Sequence, residues 1–310
     1  MDTHLLRTFV TVARLGSFSA AAAELRYTQA AVSQQIAALE NDLKVTLLNR
    51  RPVTPTEAGA RLLEHAEPLL LRLEAARADV TRLTLAPAAC LTVGLTPLAG
   101  NCPAVALALA GLRQRMPRLD IAVLVAPGPD VGSGVARGEF DIGLTDGLAA
   151  PGDSLPVVAP LSSVGVSETE IAVVFPEDHP LAGRAGMRLA DLVDARWMDA
   201  PGVAPPLSAV RRVAGADGFR AALRYDGTDT LTLIRLAAAG HGVTLLPATI
   251  AEVAGSGVRA VPVTAPRVVH RVEYVHGSLR GGTPAAALAL LLGSGRGGLA
   301  VADGAGAVRA

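Results

Sequence analysis

The sequence predicts a helical N-terminal unit, one long connecting helix, and an α/β unit filling the C-terminal two-thirds. Three observations predict it. Residues 16–40 read as a small Ala-rich helix, a tight turn and a second helix with one polar face. Apolar residues recur at steps of four and three from Leu62 to Leu83. From Leu91 onward, strand-like runs alternate with helical ones.

At 310 residues the chain has room for two or three units, and 50% hydrophobic content makes it globular rather than disordered. Basic and acidic residues balance at 28 each. Residues 1–56 hold six basic side chains (Arg7, Arg14, Arg26, Lys44, Arg50, Arg51) against four acidic ones (Asp2, Glu24, Glu40, Asp42), a net of +2. That weak excess argues against an indiscriminate polyanion binder and suits a dimer that doubles it. The two cysteines, Cys90 and Cys102, do not make a disulfide framework. They are expected as small buried hydrophobes, with a redox pair as the other reading. Arg7 and Arg14 interrupt what a signal peptide would need as its apolar core. The uncharged stretch Leu83 to Leu112 is broken by Pro87, Gly94, Pro97, Gly100, Asn101 and Pro103, so no membrane span is expected and the cytoplasm is the expected compartment.

Leu5 to Ala13 is amphipathic and can brace the helix pair. Ser19 reads as the N-cap of the first helix of the pair and Thr28 as that of the second. On the second helix Val32, Ile36 and Leu39 fall on one face and are expected against Phe18, Ala22 and Leu25. The other face carries Thr28, Gln29, Ala30, Ser33 and Gln34. Gln can bond adenine through two atoms, Ser a base or phosphate, and Ala a thymine methyl. An ordinary solvated face is the bland alternative. After Glu40, alternating Leu43, Val45, Leu47 and Leu48 followed by Arg50-Arg51-Pro52 read as a hairpin wing, with Arg50 and Arg51 placed for phosphates or the minor groove.

Thr54-Pro55-Thr56-Glu57 reads as a capping box with Pro55 at the first helical position. The helix it opens carries an a/d seam of Leu62, Ala66, Leu69, Leu73, Ala76, Val80 and Leu83. Such a seam suits a helix-pair interface, and a helix-turn-helix reading a two-fold site needs a dimer. Pro68 predicts a bend, not a break, because the heptad phase runs through it.

In the C-terminal part Leu91–Leu95 is a strand, Thr96–Asn101 a loop and Pro103–Arg115 a helix. Asp120–Ala126 and Phe140–Leu144 are further strands with a helical crossover near Val131–Arg137. Glu170–Phe175, Thr230–Gly240, Gly242–Leu246 and Val268–Tyr274 continue the alternation, and the Gly- and Ala-rich tail from Gly293 is expected to be disordered.

These residues resemble the LysR-type transcriptional regulator family. The matching pieces are Leu6-Arg7-x-Phe9-Val10, Gly16-Ser17-Phe18, Ala21-Ala22-x-x-Leu25, Thr28-Gln29-x-Ala31-Val32-Ser33-x-Gln35-Ile36, Leu39-Glu40 and Thr56-Glu57-Ala58-Gly59. In the C-terminal part they are Leu112-x-x-x-x-Pro117, Gly138-x-x-Asp141, Asp178-His179-Pro180-Leu181 and Ala238-Ala239-Gly240-x-Gly242-Val243-x-x-Leu246-Pro247. The family usually has Gly where Lys44 stands, Phe where Leu48 stands, and Arg or His where Gln34 stands. The resemblance implies a winged helix-turn-helix at 1–58, a linker and dimerisation helix at 55–84, and an effector domain at 90–292. That domain would be a two-lobed, type 2 periplasmic-binding-protein-like fold, with one lobe at 91–161 plus 267–292 and the other at 162–266. Residues 293–310 would form a flexible tail.

In such lobes strand C-termini and helix N-termini face the cleft, and their free N–H groups suit an anionic ligand. By position the cleft residues are Thr96, Leu98, Pro129 and Thr145 from one lobe and Pro201, Gly202 and Val243 from the other. The implied partners are double-stranded DNA with two-fold symmetry, a small-molecule effector, and a second copy through the linker helix, with a tetramer as a further option. No cofactor, metal set or catalytic constellation is read. Gly293-x-Gly295-x-x-Gly298 lacks the strand and helix a dinucleotide fingerprint needs, and the six histidines show no metal spacing. The competing class is a small-molecule binding module whose N-terminal helices serve protein association only; an enzyme is disfavoured for want of a nucleophile–base pair.

Overall fold

A computed structural model describes residues 2–84, 90–157, 159–253 and 257–294. Two compact units result, divided near Val80.

The first unit opens with α1 (Thr3–Leu15), α2 (Phe18–Leu25) and α3 (Gln29–Leu43). Its N-caps are Asp2, Ser17 and Thr28, each accepting a backbone N–H in the first turn. The expected cap at Ser19 is therefore corrected to Ser17. Gly16 and Arg26 end α1 and α2 in the left-handed region, and those turns bring the three helices together. Their core is Phe9 and Val12 of α1, Phe18, Ala21 and Ala22 of α2, and Val32, Ile36 and Leu39 of α3. Leu25 is half-buried and outside this cluster.

Lys44 terminates α3 at φ 56°, a conformation glycine adopts without steric cost. The chain then forms a two-stranded hairpin, β1 (Leu48–Arg50) with β2 (Val53–Pro55). Helix α4 (Glu57–Thr84) follows and runs unbroken through Pro68. Its cap differs from expectation. Pro55 is in β2, and Thr56 Oγ1 accepts the Gly59 N–H at 3.0 Å while donating to the Thr46 carbonyl. Of the heptad seam, Ala66 is buried and Leu62 and Leu73 are half-buried, while Leu69, Ala76 and Val80 are exposed. The side chain of Leu83 lies outside the described residues.

The second unit is built on an eight-stranded sheet. Strands β3 (Cys90–Leu95), β4 (Asp120–Val125) and β5 (Ile142–Ala149) pair in parallel, crossed by α6 (Pro103–Arg115) and α7 (Gly128–Arg137). Residues Pro97–Gly100, expected as loop, form the single turn α5. Strand β5 is offset from the expected 140–144. Strand β6 (Ser162–Pro176) is far longer than the expected 170–175.

The length of β6 defines the two lobes. Residues Ser162–Glu170 pair with β12 (Val269–His276), whereas Ile171–Pro176 pair with β10 (Thr244–Pro247) and β11 (Val258–Ala265). The first crossing between lobes thus lies at Glu170–Ile171, and the boundary expected at 161/162 moves by nine residues. Strand β7 (Met187–Arg188) closes the sheet. β8 (Trp197–Asp199) and β9 (Ala221–Arg224) form a small parallel pair, joined by α8 (Leu207–Ala214). Helices α9 (Thr230–Ala238) and α10 (Ala248–Val253) flank β10. The last described element is α11 (Pro284–Ser294), which packs on α6 and includes Gly293 and Ser294, expected as tail. Residues 295–310 lie outside the described residues. Cys90 is exposed, contrary to the buried expectation, and Cys102 is half-buried.

Candidate nucleic-acid interface and ligand cleft

Helix α3 presents Thr28, Gln29, Ala30 and Gln34 as exposed side chains, with Ser33 half-buried beside them. The opposite face is the buried Val32–Ile36–Leu39 stripe, so one amphipathic helix separates packing from display. Thr28 Oγ1 accepts the Ala31 N–H at 3.1 Å, and Ser19 donates to Gln29 Oε1 at 3.2 Å. Among the described residues no such contact holds the Gln34 amide. Thr8 of α1 donates to Gln35 Oε1 at 2.6 Å, fixing α3 on its brace.

Glu40 sets the wing. Its Oε1 accepts the N–H groups of Leu47 and Leu48 at 2.8 and 3.2 Å, and its Oε2 pairs with Arg50 at 3.3 Å. The Arg50 guanidinium lies 4.9 Å from the centre of the Phe18 ring. Arg50, still exposed, is thereby held against the head, and Arg51 is exposed at the turn. Arg7 of α1 pairs with Glu74 of α4 at 3.0 Å, tying the brace to the long helix.

In the second unit a cavity of about 490 Å³ opens between the lobes. Five of the seven expected cleft residues line it: Thr96, Leu98, Pro129, Pro201 and Gly202. Thr145 does not: in β5, opposite Glu273, it stands on the other face of the strand from its neighbour Asp146. Val243 does not either. Its N–H and C=O are bonded to Arg196 and Met198, and its side chain joins the core with Trp197.

Sequence reasoning missed Asp146, Gly227 and Thr228, which also line this cavity. Asp146 accepts a hydrogen bond from the Thr96 hydroxyl and faces His270 Nε2 at 2.9 Å. Its signal was a single carboxylate in the inward register Ile142–Leu144–Asp146–Leu148. Gly202 and Gly227 approach so closely that a methyl group on Gly202 would meet the Gly227 carbonyl oxygen. The first turn of α7 has no side-chain cap; Pro129 carries no N–H and Asp130 donates to the Pro127 carbonyl at 3.0 Å, so the Gly128 N–H is the one first-turn donor left at the Pro127–Pro129 edge among the described residues. Asp229 caps α9 beside the cavity and accepts the Thr232 hydroxyl and N–H; those bonds hold its carboxyl below the usual range.

Behind the cleft Arg271, nearly buried, bridges Glu168 and the fully buried Glu273. Burial works against its charge, but the two carboxylates outweigh burial and raise its pKa. Among the described residues no helix is long and apolar enough to cross a membrane, and no cluster of three metal-ligating side chains occurs.

Two family models match: "Bacterial regulatory helix-turn-helix protein, lysR family" over residues 3–60 and "LysR substrate binding domain" over residues 86–291. YnfL of Escherichia coli, described as an HTH-type transcriptional regulator, is 31% identical over 83% of this chain and 86% of its own. CysL of Bacillus subtilis, also an HTH-type transcriptional regulator, is 30% identical over 63% of each chain, so this chain spans less than two-thirds of that relative. Full-length CbnR, solved in complex with its target DNA, superposes with a TM-score of 0.52 at 20% identity over 95% of this chain and 99% of that one, a likeness of fold. With both of its units matched in sequence, the chain belongs to the LysR family of bacterial transcriptional regulators.

Proposed function

We propose that the protein is a sequence-specific DNA-binding regulator whose promoter activity responds to a small molecule in the interlobe cleft. The observation that carries this reading is the exposed row Thr28, Gln29, Ala30 and Gln34 on α3, with Arg51 on the adjoining wing. Side chains at the N-terminal half of a recognition helix reach base edges, while wing and turn cations meet phosphates. Ser33 joins the base or phosphate contacts, and Arg50 contacts the backbone only to the extent that it leaves Glu40.

The cleft takes a compact molecule with an acceptor group that meets the Gly128 N–H at the start of α7, while the Thr96 hydroxyl, whose proton goes to Asp146, accepts from it. Such a molecule shifts the heads only through different affinities for two arrangements of the assembly. The exposed seam residues Leu69, Ala76 and Val80 on α4 are the surface offered to a second copy. We read the protein as cytoplasmic and without catalytic activity.

The test is a titration of the purified protein against its own upstream intergenic DNA and a scrambled control at two salt concentrations. The reading expects preference for the native fragment and affinity that falls as salt rises. Equal binding to both fragments at both salts, with and without cell metabolites, would overturn it in favour of a binding module that uses α1–α3 for protein association.

A further inference from the structure

A second cavity, larger than the cleft, lies on the far side of Leu98, which lines both. It measures about 650 Å³, within the range of small-molecule sites. Cys102 and Ala104 at the start of α6 form one wall, and Ser167 of β6 and Val272 of β12 form the floor. Ile250 of α10 closes it from the other lobe.

Every charged group in this wall is already matched. Arg271 bonds Glu168 and Glu273, Glu168 also accepts the Gly152 N–H at 3.1 Å, and His270 faces Asp146 at 2.9 Å. A charged ligand would lose its hydration and find no uncompensated partner. Neutral polar groups do remain. Asn101 donates one N–H to the Pro97 carbonyl at 2.9 Å, which leaves its amide oxygen as an acceptor, and the Ser167 hydroxyl lies 3.3 Å from Cys102 Sγ.

We infer that this cavity is a second ligand site, separate from the cleft, for an uncharged molecule with an apolar ring-sized body and one hydroxyl or N–H group. Its occupant would press on Leu98 and on the Asp146–His270 pair, and so on the neighbouring cleft.

The two cysteines make the site readable. In a Cys90→Ser variant of the full chain the remaining thiol, Cys102, reports access to the cavity. The experiment measures the rate of Cys102 alkylation by iodoacetamide with tryptophol, indole-3-acetate and tryptamine, which share one body and differ in charge. At tenfold excess over its dissociation constant, tryptophol is expected to slow alkylation about tenfold, with little effect from the other two. Ala104→Phe, which fills the cavity, is expected to abolish tryptophol binding; Ser167→Leu serves the same purpose should the first variant not fold. Equilibrium dialysis of tryptophol against the same variants gives the answer should the free thiol prove unreactive. Absence of tryptophol binding, equal protection by indole-3-acetate or tryptamine, or binding that survives the filled cavity would each overturn the inference. None of these readouts involves DNA or the interlobe cleft, so failure here leaves the regulator reading intact, and the reverse.

Discussion

Asp146 and His270 stand on adjacent strands with their polar atoms 2.9 Å apart, Asp146 lining one cavity and His270 the other. Both are largely buried, at 12% and 3% side-chain exposure, so each relies on the other for a hydrogen bond that bulk water does not fully replace. His270→Leu is expected to lower the stability of the second unit by about 1–3 kcal/mol, because Asp146 loses a partner in a confined site. Urea unfolding of the two proteins checks this. An unchanged midpoint would mean that water already serves Asp146.

A sharper loss is expected at Arg271. Glu273 is 1% exposed and one of its oxygens has no hydrogen-bond partner even with the guanidinium present. Arg271→Met strands that carboxylate, and the expected cost is about 3 kcal/mol, near the low end for a broken buried pair because Glu168 is partly solvated. The double variant Arg271→Met, Glu273→Leu should recover part of it in the same unfolding assay.

Lys44→Gly is expected to stabilise the first unit. A left-handed non-glycine residue costs roughly 1–2 kcal/mol, and glycine gives back about 0.4–1 kcal/mol through a freer unfolded chain. A net gain of several tenths to about 1 kcal/mol should appear as a higher melting temperature of this unit. A lower one would show that the Lys44 side chain contributes more than its backbone strain removes.

On α3 the two glutamines are not equivalent. Gln29 Oε1 is engaged by Ser19, whereas among the described residues no hydrogen bond holds the Gln34 side chain. Gln34→Ala is expected to cost about 1–3 kcal/mol of specific binding if it reads a base through two atoms, with Gln29→Ala costing less. Fluorescence anisotropy on specific and random duplexes checks this, and equal losses on both would assign Gln34 to the backbone.

Acidification should act through Asp229. Its carboxyl is held below the usual range by the Thr232 hydroxyl and N–H, so its contribution is complete above the ordinary carboxylate pKa. That contribution disappears as pH falls through the lowered value. The melting-temperature gap between the native protein and Asp229→Ala should therefore be constant near neutrality and close progressively below about pH 4. A gap that persists to pH 2 would place the effect in packing rather than in the cap.

The first unit was largely legible from sequence because its signals are local. The Val32–Ile36–Leu39 stripe, the cap at Thr28 and the apolar run before Arg50 each act within a few residues. Even the misplaced cap shifted by only two positions, from Ser19 to Ser17, since both hydroxyls stand at the start of one short helix. The second unit was less legible where distant pairing decides. Residues 145–149 and 162–169 carry Asp, Gly and Ser, which favour turns. They are strands because β12 lies between them and pairs with both. That non-local pairing placed Thr145 inside a ladder, Val243 in a core, and brought Asp146, unremarked in the sequence, to the cleft.

Strand β6 has a consequence for how the second unit can be taken apart. Its first nine residues complete one lobe and its last six complete the other, on a single uninterrupted backbone. Neither lobe owns an intact sheet without its neighbour, so no cut in the chain yields two independent folding pieces. Damage on either side should propagate as one cooperative loss, and a transplanted lobe would have to carry a borrowed half-strand with it.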